Sequence, residues 1–164
     1  MAGLSCHRNP VVPGSGLTED FRLLPCEPDG FPVERRLVLP EVARQACEQS
    51  AAWYVKVGYI RPWIAYLTVM DGVVVGGGGF KEPPQDRRVE IAYFTAPEFE
   101  GRGHATRTAR ALVAIARQSD PALLIAAQTL AEENASTSIL RKLGFRLHGN
   151  IHHPEDGEIW EWRL

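Results

Sequence analysis

The order of apolar and polar positions along the chain predicts one central strand–loop–helix unit. Apolar residues at helical spacing predict a helix over residues 104–118. A run of β-branched and aromatic residues predicts a strand over residues 89–95 directly before it. The loop between them is opened by Ala-Pro and closed by Gly-Arg-Gly. The remaining elements are arranged around this unit.

The chain before this unit predicts a short strand, a helix and an antiparallel meander. The strand covers residues 21–25, and the helix covers residues 39–57 until Arg61-Pro62 breaks the pattern. Two β-rich segments, 63–70 and 73–80, flank Asp71-Gly72, which is a strong hairpin signal. Four consecutive glycines in the second segment indicate a bulge or a close approach by another group, although plain flexibility fits them too.

The chain after the unit predicts another strand and helix, followed by a closing hairpin. A strand over residues 123–129 precedes a short helix, with Asn134 as its N-cap and Gly144 just past its end. Alternation over 145–148 and 158–163 predicts the last two strands. The fold class is therefore α/β (α+β), with a single mixed, mostly antiparallel sheet flanked by helices. Residues 1–16 are expected to form a flexible arm, and residues 17–164 a single domain.

Composition narrows the function classes. Apolar residues make up 45% and charged residues 23% of the chain, as in ordinary globular proteins. A net charge of -2 argues against nucleic acid as a partner. The apolar run over 73–80 is too short to span a membrane, and no signal pattern begins the chain, so a cytoplasmic protein is expected. Cys6, Cys26 and Cys47 are odd in number and widely spaced, which favours free thiols.

The glycine loop and the helix after it predict an anion site. The first turn of a helix has free N–H donors and the positive end of the helix dipole, which suits a phosphate or pyrophosphate. Gly101 and Gly103 lack a Cβ, so a ligand can approach the backbone closely. Arg102 and Arg107 can add positive charge at the rim.

Three motifs in this order resemble the GNAT superfamily of N-acyltransferases. Residues 100–105, Glu-Gly-Arg-Gly-His-Ala, resemble its pyrophosphate loop, although Glu100 stands where the family usually has Gln or Arg. Asn134-Ala135-Ser136, followed by Leu-Gly-Phe at 143–145, resembles its later helix block. Val-Glu-Ile-Ala-Tyr at 89–93 and the final Gly157-x-x-Trp160 look most like the branch of ribosomal-protein N-terminal alanine acetyltransferases. The resemblance covers about residues 63–162.

The resemblance implies an enzyme that moves an acetyl group from acetyl-CoA to a primary amine, by direct transfer in a ternary complex and without a metal. The acceptor would be a small-molecule amine or a peptide N-terminus, with no nucleic acid or membrane partner, and a homodimer is allowed. The pantetheine arm would follow the end of the strand before the loop. The implied cofactor-binding residues are Phe94, Thr95, Arg102, Gly103, His104, Ala105, Thr106 and Asn134.

Two residues are candidates for the proton transfers that the reaction needs. Glu90 is a carboxylate within an apolar strand, and the family uses an acid on this strand as the base, often through water. The alternative is a solvent-side or salt-bridged glutamate, with Arg88 as its partner. Ser136 is the candidate acid for the departing thiolate. Its alternative is a helix-start residue that bonds the backbone.

Other function classes remain open or fit less well. A non-catalytic CoA-binding or protein-interaction domain could keep the same fold. A Rossmann-type dinucleotide site is disfavoured because a third glycine is missing and the preceding meander is antiparallel. The histidines and acids near the last turn match no usual zinc spacing; they are His148, His152, His153, Glu155 and Asp156.

Overall fold

The computed structural model of the protein describes residues 19–153 and 157–164. Its described part holds a seven-stranded sheet, three α-helices and a short 3-10 turn at Pro97–Phe99. The strands are β1 (Phe21–Pro25), β2 (Ala65–Met70), β3 (Val73–Phe80), β4 (Arg88–Thr95), β5 (Leu124–Leu130), β6 (Arg146–His153) and β7 (Gly157–Arg163). The helices are α1 (Glu41–Val57), α2 (His104–Ser119) and α3 (Ala135–Lys142). The predicted fold class is confirmed.

The strand order in the sheet is β1-β2-β3-β4-β5-β7-β6. Only β4 and β5 pair in parallel, while the other neighbouring strands pair antiparallel. The predicted meander is confirmed as β2, β3 and β4. Asp71 and Gly72 have φ values of 47° and 80°, so both central residues of the hairpin turn are left-handed, as a type I′ turn requires.

The helices cover the two faces of the sheet. On one face, Ala43 and Cys47 of α1 share a buried cluster with Leu67 and Val74 of the meander. On the other face, α2 and α3 pack against the middle of the sheet through buried residues that include Leu112, Ala116 and Leu140. The sheet therefore forms the middle layer of a three-layer domain.

The glycines of β3 allow close packing across the sheet. The β2–β3 register shifts between Thr68 and Val69, which marks a bulge in this hairpin. A Cβ on Gly78 would lie 3.0 Å from Leu112 Cδ1 of α2 and 2.6 Å from the carbonyl oxygen of Ala92. Gly78 therefore lets α2, the helix that follows the anion loop, pack directly on the strands. Of the alternatives for the glycine run, the close approach is what the structure shows, while the bulge lies at Val75, directly before the glycines.

The last hairpin is longer than predicted. The strand expected over 145–148 runs to His153, and its partner begins at Gly157. The sequence predicts residues 152–157 as the connection between the two strands. In the structure, Asn150 and Ile151 instead pair with Trp160 and Ile159. The predicted N-terminal arm lies outside the described residues. No helix in the described part of the chain is long and apolar enough to cross a membrane.

Candidate active site

Strands β4 and β5 separate in the middle of the sheet. Within the described residues, their parallel pairing runs from Arg88 and Leu124 only as far as Ile91 and Ala127. Beyond that point β5 continues beside β7, and β4 continues beside β3 up to Thr95. Residues 92–95 therefore present a backbone edge to the opening between the two strands. An extended ligand with amide groups can hydrogen-bond to such an edge as an added strand.

Phe94 and Thr95 lie on this free edge, where the family resemblance places the pantetheine arm. The edge leads through the 3-10 turn into the glycine loop, so only the eight residues 96–103 separate the end of β4 from the start of α2. One continuous segment of backbone thus supplies both surfaces that a long anionic ligand would need.

The start of α2 has the geometry expected for the anion site. Gly101 and Gly103 have φ values of 73° and 80°, and Gly103 is the N-cap of the helix in the left-handed conformation. A Cβ at either glycine would meet no atom within 4 Å, so backbone conformation, and not protein packing, favours glycine here. Because Gly103 has no side chain to cap the helix, the N–H groups of Ala105 and Thr106 are directed to the space before it.

Some of the side chains around the helix start already contact other residues, and this limits which of them can bind an anion. Arg107 forms an ion pair with Glu19, and the guanidinium of Arg102 lies 5.7 Å from the centre of the Phe99 ring. Burial lowers the pKa of His104, and the charges of Arg107 and Arg102 lower it further. His104 is therefore neutral at physiological pH. Glu100, which departs from the family pattern, is exposed.

Helix α3 begins beside the opening of the sheet. Asn134 is its N-cap, as predicted: its Oδ1 accepts a hydrogen bond from the Thr137 backbone, and Thr137 Oγ1 accepts one from the Asn134 backbone. This capping box fixes the first turn of the helix, which holds Ser136. The capping role of Asn134 is confirmed, and its cofactor role stays a prediction.

Tyr93 is a site residue that the sequence reasoning missed. Its hydroxyl donates a hydrogen bond to the backbone oxygen of Ser136 at 3.4 Å, so β4 and α3 meet at this point. Burial raises the pKa of Tyr93 to about 12, against a small lowering by its hydrogen bond to Ser136. A half-buried tyrosine two residues from the end of a strand was the available signal, because its hydroxyl needs a partner.

Glu90 is buried within a cluster of charges. Its side chain is 8% exposed and forms an ion pair with Lys81, and its Oε2 accepts a hydrogen bond from Arg88 Nη2 at 3.0 Å. Lys81 Nζ also donates to Gln128 Oε1 on β5 at 3.1 Å. The salt-bridged alternative for this glutamate, with Arg88 as partner, is what the structure shows. The catalytic role of Glu90 stays a prediction.

A second buried carboxylate, Glu161 on β7, completes the cluster. The same Arg88 Nη2 lies 3.0 Å from Glu161 Oε2, and Arg163 donates to Glu161 Oε1. Burial opposes the charge of Glu161, but Arg163 and Arg88 outweigh it and hold its pKa below the ordinary value. Arg88 and Glu90 on β4, like Glu161 and Arg163 on β7, are two positions apart, so each pair points to one face of its strand. Nothing in the sequence indicates that the two strands lie close together.

A cavity of about 630 Å³ lies between α1 and the meander. It reaches the free edge of β4 through Ala92, Tyr93 and Phe94, and Lys81 and Trp53 lie at another side of it. Helix α1 lines this cavity through Ala46 and Trp53, among others. Among the described residues, no three His, Cys, Asp or Glu side chains come together as a metal site.

The geometry of loop, helix start and open strand edge matches the one family that the sequence resembles. The model of the acetyltransferase (GNAT) domain family matches residues 33–146, which is more than half of the chain. The chain belongs to the GNAT acetyltransferase family. As a member of this family, it is an acetyl-CoA-dependent N-acetyltransferase.

Solved structures show the same fold. RimL, the ribosomal L7/L12 alpha-N-protein acetyltransferase, is 17% identical with a TM-score of 0.65, over 88% of this chain and 92% of its own. The putative acetyltransferase yncA from Salmonella typhimurium, solved with acetyl-CoA, is 20% identical with a TM-score of 0.56, over 72% of each chain. The aminoglycoside acetyltransferase AAC(6')-Ib, solved with coenzyme A, is 20% identical with a TM-score of 0.53, over 62% of this chain and 65% of its own. No curated protein matches the chain by sequence.

Proposed function

We propose that this GNAT protein transfers the acetyl group of acetyl-CoA directly to a primary amine while both substrates are bound. The observation that carries the proposal is the free edge of β4, which leads into a glycine loop and a helix start. This arrangement fits a ligand that is extended and rich in amides at one end and anionic at the other, as coenzyme A is. The residues on the two surfaces then have separate tasks.

The chain would hold the cofactor mainly through its backbone. The N–H groups of residues 102–106, with the dipole of α2 behind them, would bind the pyrophosphate, and Arg102 would add charge at the rim. His104 would take part through its backbone, because its neutral ring adds no charge. Phe94 and Thr95 would pair with the pantetheine arm. Since the cap uses Oδ1 of Asn134, its side-chain amide nitrogen is the atom that could bind this arm.

Glu90 would take the proton from the incoming ammonium group. Lys81 and Arg88 contact both of its carboxylate oxygens, so the amine would transfer its proton through a water molecule. The two cations would hold the carboxylate in one orientation. Bound acetyl-CoA supplies the activated thioester, and no covalent bond to the enzyme is needed.

Ser136 would return a proton at the sulfur as the thiolate leaves. Its place in the first turn of α3, beside the opening between β4 and β5, supports this role. Tyr93 would act with it, because its hydroxyl lies at the same point and its high pKa keeps it protonated. The two hydroxyls would form a donor pair, with Ser136 nearer the helix start and Tyr93 on the strand.

The acceptor would be a small-molecule amine or a peptide N-terminus. The structural neighbours named above include an enzyme for a ribosomal protein and one for aminoglycosides, so the shared fold does not select between these classes. A cytoplasmic location is supported by Cys26 and Cys47, which are free and buried, as thiols in reducing compartments are.

A thiol-release screen tests the proposed function. The protein is mixed with acetyl-CoA and, separately, with aliphatic amines, aromatic amines, aminoglycosides and N-terminal peptides, while free thiol is followed. At least one class should release thiol and yield an acetylated amine by mass spectrometry. Binding of acetyl-CoA by calorimetry, with no thiol release for any amine, would support the non-catalytic CoA-binding domain instead.

A further inference from the structure

We propose that the acceptor is a primary amine with a large apolar, preferably aromatic, body and no second cation. This inference rests on the proposed function and names its substrate class. The body would fill the cavity between α1 and the meander, and the amine would lie at the end of the cavity nearest Glu90.

The cavity exists because three small residues lie side by side in the sheet. The strand register places Ala65 of β2 opposite Gly79 of β3, and Gly79 opposite Ala92 of β4. Residues directly opposite each other point to the same face of a sheet. This row therefore offers at most a methyl group at each position beneath α1. Larger residues here would fill the space with protein.

The cavity is joined to the reacting groups. Ala92 lines it and follows Glu90 by two residues, so both side chains point to the same face, about 7 Å apart along the strand. Lys81 lines the cavity and also contacts the Glu90 carboxylate. The free edge of β4 borders the same space. A molecule in the cavity can thus place one end near the proposed base and acetyl group.

The lining favours an apolar occupant. Most of the residues around the cavity are apolar or aromatic, and Trp53, Tyr54 and Phe94 are the aromatic ones on the α1 side of the sheet. Tyr66, Phe80 and Tyr93 also line it, but each follows a residue of the small row directly, so their side chains alternate to the opposite face. None of the lining residues is Asp or Glu, and Lys81 is the one charged residue among them. Glu90 already has two cationic partners. An aminoglycoside or polyamine would bring several cations into a space without carboxylates, which is costly.

Trp53 shapes the side of the cavity that faces solvent. It projects from α1, and its indole Nε1 donates a hydrogen bond to the backbone oxygen of Lys81 after β3. The ring is 43% exposed, so it forms a wall that borders both cavity and solvent. The same apolar amine could be a free arylalkylamine or the first residue of a peptide, whose chain would leave past this wall.

Thiol-release assays with matched amines test the inference. They also distinguish a free arylalkylamine from a peptide N-terminus as the acceptor. The kcat/KM for 2-phenylethylamine should exceed that for ethylamine by about 10- to 100-fold, as burial of an aromatic group predicts. Spermidine and kanamycin should be poorer than ethylamine. A peptide that begins with Phe is compared with one that begins with Gly. A larger gain for the Phe peptide identifies an N-terminus as the source, and a larger gain for phenylethylamine identifies a free amine.

Two alanine-to-phenylalanine variants of α1 test the inference by mutagenesis, one inside the cavity and one outside it. Ala46→Phe puts a ring into the lining from α1, whereas Ala52→Phe puts the same ring on an exposed position of the same helix, outside the lining. Ala46→Phe should reduce the preference for phenylethylamine over ethylamine about 10-fold or more, and Ala52→Phe should leave it unchanged. Thermal melts check that both variants fold, and Ala46→Leu serves if Ala46→Phe does not.

Failure of this inference differs from failure of the proposed function. Equal use of ethylamine and phenylethylamine, or a preference for kanamycin, would overturn the apolar acceptor while transfer itself stands. If no amine releases thiol, the proposed apolar site is tested by calorimetric titration of phenylethylamine into the CoA-bound protein. Binding that Ala46→Phe abolishes would support the apolar site without catalysis, and the absence of binding would overturn it.

Discussion

Glu90 and Glu161, on strands β4 and β7, are both hydrogen-bonded to one nitrogen of Arg88. The Nη2 atom lies 3.0 Å from Oε2 of each carboxylate. Strand β5 lies between the two strands that carry them, so Arg88 reaches across the sheet. Two buried carboxylates would repel each other without this cation. Arg88 therefore links the proposed base to a second buried carboxylate, Glu161, that is 71 residues away in the sequence.

Glu90→Gln tests the proposed base. The amide keeps the size and hydrogen-bonding capacity of the side chain but cannot accept the proton of the ammonium group. Turnover should fall by about 100-fold or more near neutral pH, and the acid limb of the pH–rate profile should flatten. Acetyl-CoA affinity, measured by calorimetry, is the control and should not change. Near-normal turnover at all pH values would leave Glu90 with only the structural role of an ion pair.

Glu161→Gln should affect stability through its charge. Because the folded-state pKa of Glu161 is lower than its ordinary value of 4.5, its charge stabilises the fold above that range, and this stabilisation is lost as the pH falls through the folded-state pKa. The variant should lose about 1–3 kcal/mol of unfolding free energy near neutral pH and little in acid. Urea unfolding at both pH values measures this.

Glu158→Gln is the matched control, because Glu158 lies on the same strand but is exposed. It should change the unfolding free energy very little. A loss that is equal at neutral and acid pH in Glu161→Gln would show that packing, and not charge, is responsible.

The proposed donor pair can be separated by Ser136→Ala and Tyr93→Phe. Each should lower kcat by about 10- to 100-fold with unchanged acetyl-CoA affinity, because the leaving thiolate loses a proton donor. The loss in Tyr93→Phe should be constant between about pH 6 and pH 10, since Tyr93 with a pKa of about 12 stays protonated there. An acetyl thioester of a more acidic thiol should restore much of the rate in both variants. No rescue by such a donor would contradict the acid role.

Gly103→Ala tests the anion site at the start of α2. The left-handed backbone at this N-cap is unfavourable for alanine by about 1–2 kcal/mol, so the loop should shift and coenzyme A affinity should fall roughly 10-fold. Gly149→Ala on β6 is the control, because a Cβ there meets no atom within 4 Å and its φ is not left-handed. Equal affinity in wild type and Gly103→Ala, by calorimetry, would exclude this loop as the pyrophosphate site.

The strand–loop–helix unit was predictable because its signals are local. A β-rich run, two glycines and a 3.6-residue period each lie within a few residues of one another, and the Asp71-Gly72 turn and Asn134 cap are equally local. The exposed strand edge was not predictable, because it depends on where β5 leaves β4 to pair with β7. The residues of β4 and β5 themselves carry no sequence signal for this change of pairing partner.

The same reason explains the missed site residues. Tyr93 lies on the face of β4 opposite Glu90, and its contact with Ser136 depends on the position of α3. Glu161 lies 71 residues from Glu90, and only the strand order brings the two together. The cavity depends on the register that places Ala65, Gly79 and Ala92 side by side. Four consecutive glycines have no side-chain alternation from which this register could be predicted. Long-range pairing, and not local propensity, decides each of these features.

The most direct test of the account is a steady-state analysis in which acetyl-CoA and the best amine of the screen are both varied. Direct transfer in a ternary complex predicts double-reciprocal lines that intersect, release of one thiol for each acetylated amine, and no acetylated enzyme by mass spectrometry. Parallel lines together with an acetyl-enzyme would contradict direct transfer. Absence of thiol release with every amine, despite tight coenzyme A binding, would contradict catalysis itself.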